Sequence, residues 1–334
     1  MPALNPTILF SKFQDSLAAA GWQWLRTSAA LRPRDYRIWR DGDRFDLKVY
    51  LWTLTPGGKS RPKDEWRIQP ASVAAFERAP GVETIILGYD PGRGVFAGFD
   101  ARAHADPLGS SPSIQIKERA LEEAVATGLA LHIKSSAELV FAIRPDFLGL
   151  YIEHLDALHD ATLAPDDLEL LEAMTADPAG VSSDDIEATK GPPERRRVLR
   201  TVLRFLRDRR FRSRVLTAYS HRCSACGVQL DLLDAAHIVP VGQPGSTDEV
   251  SNGVAMCALH HRAYDRALIA FDTSFDLHIS KARLDELKLA GCDGGFDPFA
   301  AALRKTLLLP AAAGDRPDLA LIKTANAHRE FVLP

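Results

Sequence analysis

In the stretch CSAC, Cys223 and Cys226 stand with two residues between them, and in CALHH the same gap separates Cys257 from His260. Two such knuckles, about thirty residues apart, can converge on one tetrahedral Zn²⁺ through three thiolates and one imidazole. No hydrophobic pattern in the chain constrains its path as tightly. The fourth cysteine, Cys292 in LAGCDGG, has no partner at a useful spacing and reads as an ordinary thiol. The opening MPALNPTILFSKF carries a lone Lys12 and no small-residue cleavage site, and no apolar run reaches the roughly 18 residues that span a bilayer. A cytoplasmic address is therefore expected, where clustered cysteines read as metal ligands before disulfides.

The 334 residues suit two domains and a connector. Net charge is only −3, yet the charges are segregated. From Glu153 to Glu187 there is no Lys or Arg; from Arg195 to Arg214 there are ten arginines and a single acid, Asp208. Residues 1–152 alternate apolar strand-like runs (YRIWR, FDLKVYLWTL, ETIILGY, GVFAGFD, SIQI, LALHI, ELVFAI) with turn signals. Helical patterns lie at 9–20, at KERALEEAVATG with Gly128 as its cap, and at PDFLGLYIEHLDALH opening on Pro145. The fold class expected is α+β, with a mixed N-terminal domain built on a largely antiparallel sheet. Residues 153–192, acidic and closed by a GPP break, read as a linker region with one short helix, PDDLELLEAM. Residues 193–334 open with an amphipathic arginine-rich helix suited to a polyanion and form the C-terminal domain.

Between the knuckles, LLDAAHIVPV has the pattern of a strand ending at a proline, GQPGSTDEVSNG of a polar loop, and GVAMCALHHRAYDRAL of a helix carrying His261. Such a unit aims His237, Asn252 and His261 toward one point. AAHIVP, SNG and CALHHRAYD together resemble the HNH nucleases, and FRSRVLTAYSHRCSACG resembles the lead-in of members with a cysteine frame, the McrA-like bacterial restriction endonucleases. The resemblance covers roughly residues 195–275. It implies a zinc-braced ββα-metal fold and cleavage of double-stranded DNA.

Carried over by residue, the resemblance implies that Cys223, Cys226, Cys257 and His260 hold a structural zinc. His237 would be the general base and His261 a ligand of a catalytic Mg²⁺ or Mn²⁺. Asn252 would either orient His237 or add a ligand oxygen. Many members have an acidic residue just before the base; here that place is Ala236, and Asp234, two residues back on the same side of the strand, is the candidate ligand. Tyr264 and Asp265 are expected to pack and cap, and Arg262 to touch a phosphate at most.

One such site cuts one strand, so a double-strand break needs two protomers or two sequential encounters, and a homodimer is expected. Some relatives act on modified bases, and dependence on modification is an expectation for this chain as well. The competing reading is a zinc-stabilised DNA-binding protein without nuclease activity, for which Ala236 speaks. Target selection would fall to the N-terminal domain, expected as a DNA-recognition module, in which eleven basic residues between Arg26 and Arg67 interleave with Trp39, Tyr50, Trp52 and Trp66.

Overall fold

The computed structural model describes residues 3–58, 61–70, 73–104, 107–109, 112–160, 165–189, 193–230 and 232–333. The chain divides into two compact units, Met1–Leu206 and Arg207–Pro334.

The first unit opens on helix α1 (Pro6–Ala19), where Asn5 accepts a hydrogen bond from the Thr7 amide at 2.8 Å and Pro6 takes the first helical position. Strands β1 (Gln23–Arg26), β2 (Arg34–Arg40), β3 (Asp43–Thr53), β4 (Thr55–Pro56), β5 (Glu65–Ile68), β6 (Glu83–Asp90), β7 (Val95–Phe99) and β8 (Ile114–Lys117) follow. Next come α2 (Glu118–Thr127), β9 (Leu129–Ile133) and β10 (Leu139–Ile143). Seven strands form one sheet in the order β1-β2-β3-β6-β7-β10-β9, and β4-β5-β8 form a smaller one. Within the large sheet β3 and β6 run parallel and every other neighbouring pair is antiparallel.

Both faces of the large sheet are covered, and β3 shows why its sequence is apolar without alternation. Leu47, Val49 and Leu51 enter the core under α1, while Tyr50 and Trp52 enter a second core against α2. Helix α2 ends at Gly128, whose φ of 95° a side chain would resist and where one would run into Phe147.

The acidic stretch differs from the modestly structured linker expected of it. Helices α3 (Leu148–Glu153), α4 (Leu155–Leu158), α5 (Pro165–Ala176) and α6 (Ser183–Glu187) lie within it or lead into it. Their Leu155, Leu158, Leu171, Met174 and Ile186 join the core of the first unit. Its carboxylates meet the arginines that follow: Arg195 lies 3.2 Å from Asp160 and 3.9 Å from Asp167, and Arg196 and Arg200 reach Glu187. The charge segregation in the sequence is thus partly neutralised within the fold. Gly191 and Pro192 of the GPP break lie outside the described residues.

Helix α7 (Pro193–Ala218) gives Leu199, Val202, Leu203 and Leu206 to the first core and Phe211, Val215 and Leu216 to that of the second unit. In the second unit, β11 (Leu233–His237) pairs antiparallel with β12 (Gly253–Cys257), placing His237 opposite Gly253 and Leu233 opposite Cys257. The segment GVAMC, expected as helix, is therefore strand, and helix α8 (Ala258–Asp265) starts immediately after it. All five of its residues are buried, and a short apolar run of that kind carries no periodicity to separate strand from helix. Gly253 is required for packing: a side chain there would overlap Val215 and Phe211 of α7.

The remaining elements, β13 (Ile269–Phe271), β14 (Leu277–Ile279), α9 (Lys281–Leu289), α10 (Phe296–Ala302) and α11 (Leu319–His328), close this unit. The amides of Arg304 and Leu308 donate to Ala225 and Ser224 beside the first knuckle, and Asn326 of α11 donates to the Phe271 carbonyl. Among the described residues no helix is long and apolar enough to cross a membrane.

Candidate metal centre and active site

Each knuckle is a short backbone turn that leaves its donors pointing the same way. At the first, the Gly227 amide donates to the Cys223 carbonyl at 2.7 Å, with Gly227 at a φ of 83°. At the second, Cys257 caps α8 and His260 sits in its first turn. The Sγ atoms of Cys223, Cys226 and Cys257 and a ring nitrogen of His260 all lie within 4.8 Å of one another. His260 Nδ1 is 3.2 Å from Cys257 Sγ and 3.6 Å from Cys223 Sγ, close to the roughly 3.6 Å edge of a tetrahedron with zinc–ligand bonds of about 2.0–2.3 Å.

The electrostatics fit a dication. Burial pushes the Cys226 thiol up to about 12 and raises that of Cys257. Burial also opposes ionisation of Cys223, yet hydrogen bonds from His260 and neighbouring backbone amides outweigh it and bring the thiol down to about 6. A bound dication would let all three thiols ionise. This Cys₃His group can hold a metal such as zinc.

His261 follows His260 on α8 and faces elsewhere. Its Nδ1 lies 3.9 Å from Asp234 Oδ2 on β11, and its Nε2 lies 3.5 Å from Asp265 Oδ2, one helical turn on. The two carboxylates thus face opposite nitrogens of the ring, and an ion on Nδ1 would meet Asp234 and not Asp265. Asp234 also meets Arg212 of α7, whose Nε is 3.4 Å from Oδ1 while Nη2 donates to the Leu233 carbonyl at 2.7 Å.

His237 ends β11. Its ring stacks on Phe211 of α7 with centroids 3.8 Å apart and planes 15° from parallel, and Nε2 lies 3.4 Å from Asp248 Oδ1. That hydrogen bond is the main reason the Asp248 carboxyl sits below its ordinary range, against burial and with help from Arg207 and Arg214.

Asn252 is fully buried. Its Oδ1 accepts from the Val239 amide at 2.9 Å, and Nδ2 donates to the carbonyls of Thr247 at 2.8 Å and Val239 at 3.3 Å. An amide so committed clasps the loop behind His237 and is not offered to an ion. None of these bonds reaches the His237 ring.

Asp265, expected only to pack or cap, instead lies beside Nε2 of His261. Phe211, Arg212 and Asp248 had no local signal, since a helix and a loop distant in sequence bring them to the strand. Tyr264 does pack, buried under Arg329 and against Phe271. In the first unit Tyr50 and Trp52 are core residues, Trp66 lies under Arg93, and Trp39 remains 37% exposed. Several of the basic residues there are paired, Arg37 with Asp46, Lys48 with Asp35 and Glu77, Arg61 with Glu65.

Residues 223–272 match the family model described as HNH endonuclease, and residues 45–152 match the one described as Methylase-associated X1. The second unit thus carries an HNH endonuclease domain, and the first contains the other module. No curated protein matches. A solved structure titled "Modification dependent TagI restriction endonuclease" aligns over 84% of this chain and 81% of its own, at 13% identity and a TM-score of 0.30.

Proposed function

We propose that the chain is a metal-dependent DNA endonuclease of restriction type. The observation that carries this reading is the joint arrangement of a metal-binding Cys₃His frame, His237 on a strand end and His261 on the adjoining helix, all within the span that matches the HNH model. Zn²⁺ in the frame would brace the knuckles, while His261 and Asp234 would hold a catalytic Mg²⁺ or Mn²⁺. When bound, that ion supplies stabilisation of negative charge on the phosphate and on the departing 3′ oxygen.

His237 takes the proton of the attacking water, its ring plane set by Phe211. Exposed arginines on α7, among them Arg197 and Arg204, favour contact with the phosphate backbone of double-stranded DNA. A methylase-associated module in the same chain supports control of cutting by the modification state of the DNA. One such centre hydrolyses one strand, so double-strand cleavage calls for a homodimer.

The test is incubation with Mg²⁺ or Mn²⁺ and plasmids of differing modification, followed by end mapping, for the wild-type chain and His237→Ala. Cleavage should fall about 10²–10⁴-fold in the variant while DNA affinity is kept. A wild-type chain that binds DNA and never cuts it would instead establish a zinc-stabilised DNA-binding protein.

A further inference from the structure

We infer that Asp248 is a positioning residue for His237: it fixes the ring proton on Nε2 and leaves Nδ1 as the nitrogen that receives the proton of water. This inference rests on the nuclease reading for its chemistry and on geometry for everything else.

A neutral imidazole carries one N–H, and which nitrogen bears it is decided by the partner each one meets. An ionised carboxylate can only accept. The nitrogen facing Asp248, at 3.4 Å, is Nε2, so Nε2 bears the hydrogen. Among the described residues no hydrogen bond is made to Nδ1. Phe211 stacks on the ring at 3.8 Å, which leaves rotation in the ring plane and exchange of tautomers as the freedoms for Asp248 to remove. A separation of 3.4 Å is long for a charge-assisted bond, as is common before substrate and ion draw such a contact tight.

The carboxylate is itself held in place. Asn252 donates to the carbonyl of Thr247, the residue before Asp248, at 2.8 Å. Asn252 therefore acts on the base through the loop and through Asp248. The charged groups around the pair are Arg207 and Arg214 of α7, Glu249, which Arg214 engages at 2.8 Å, and Arg329, which follows α11. Arg329 reaches the His237 carbonyl and not its ring. Asp248 is thus the acceptor that the ring nitrogen meets.

In the reaction, the water oxygen bonds to phosphorus as the bond from phosphorus to the 3′ oxygen breaks. The water proton moves to Nδ1, and the leaving oxygen takes a proton from solvent. Asp248 stays ionised throughout and stabilises the imidazolium.

The test compares wild type, Asp248→Asn and Asp248→Ala. Asp248→Ala should cut about 10–100-fold more slowly, through kcat and not KM, with DNA affinity and thermal midpoint unchanged. Asp248→Asn, which keeps an accepting oxygen and loses the charge, should fall between the two, and the acid limb of its rate–pH profile should move to lower pH. ¹⁵N chemical shifts of His237 should report the Nε2–H tautomer in the wild type and a mixture in Asp248→Ala. A wild-type Nδ1–H tautomer, or a ratio indifferent to Asp248→Ala, overturns the inference whether or not the protein cuts. A wild-type chain that never cuts while its tautomer still depends on Asp248 supports the contact and counts against the nuclease reading alone.

Discussion

A helix turns about 100° per residue, so two consecutive histidines cannot serve one target. His260 points its Nδ1 at the sulfurs and is buried against Phe299, while His261 points at Asp234 and Asp265. Local spacing made the metal-binding Cys₃His group legible in the sequence, and short motifs whose geometry repeats singled out His237 and His261. Asp248 and Phe211 were illegible, because nothing near them in the chain announces a partner that arrives from another element. Asp265 lies between these cases: its spacing from His261 is visible, but the matching carboxylate of Asp234 comes from a strand. If Asp234 is a ligand beside His261, Asp234→Asn should raise the Mg²⁺ concentration for half-maximal cleavage about tenfold. Titration of initial rates against Mg²⁺ checks this, and an unchanged curve would remove Asp234 from the ligand set.

At the scale of elements, the strands of the first unit were readable because a sheet buried on both faces writes itself as apolar runs, of which KVYLWT in β3 is one. Strand β12 was misread as helix for the same reason, since its five buried residues have no polar side to betray their period. The acidic segment was misread because its charge outweighed its leucines, which face the core while the acids meet α7. The hairpin β11–β12 is held to α7 at Gly253, where no room exists for a side chain. Gly253→Ala should cost about 1–3 kcal/mol and loosen the stack of Phe211 on His237. Urea unfolding followed by far-UV circular dichroism measures the cost, and a midpoint equal to that of wild type would show that α7 can yield.

At the scale of the whole molecule, the tryptophans are Trp22, Trp24, Trp39, Trp52 and Trp66, all within the first unit. Their emission reports on that unit alone. It contains His159, 2% exposed, hydrogen-bonded to the Tyr151 hydroxyl at 2.7 Å and to the Leu139 carbonyl at 2.8 Å. Burial holds His159 down to about 4 from its ordinary 6.5. The unfolded chain therefore takes up this proton first as pH falls. Stability from this group is complete above about 6.5 and is lost progressively toward about 4. Between pH 7 and pH 5 the loss should be about 2 kcal/mol. Tryptophan-monitored urea midpoints, each protein compared with itself across the two pH values, should show a loss smaller by about this amount in His159→Gln than in the wild type, the remainder including His132 and His154, which burial also lowers.

Helix α7 lends side chains to both cores without a break in its hydrogen bonding. Anyone dissecting the protein at the boundary between Leu206 and Arg207 would therefore cut inside a helix. The liberated C-terminal piece would begin with four bare amides, barely one turn ahead of the aromatic ring on which His237 leans. Dissection that starts at the head of α7 keeps that ring's footing intact.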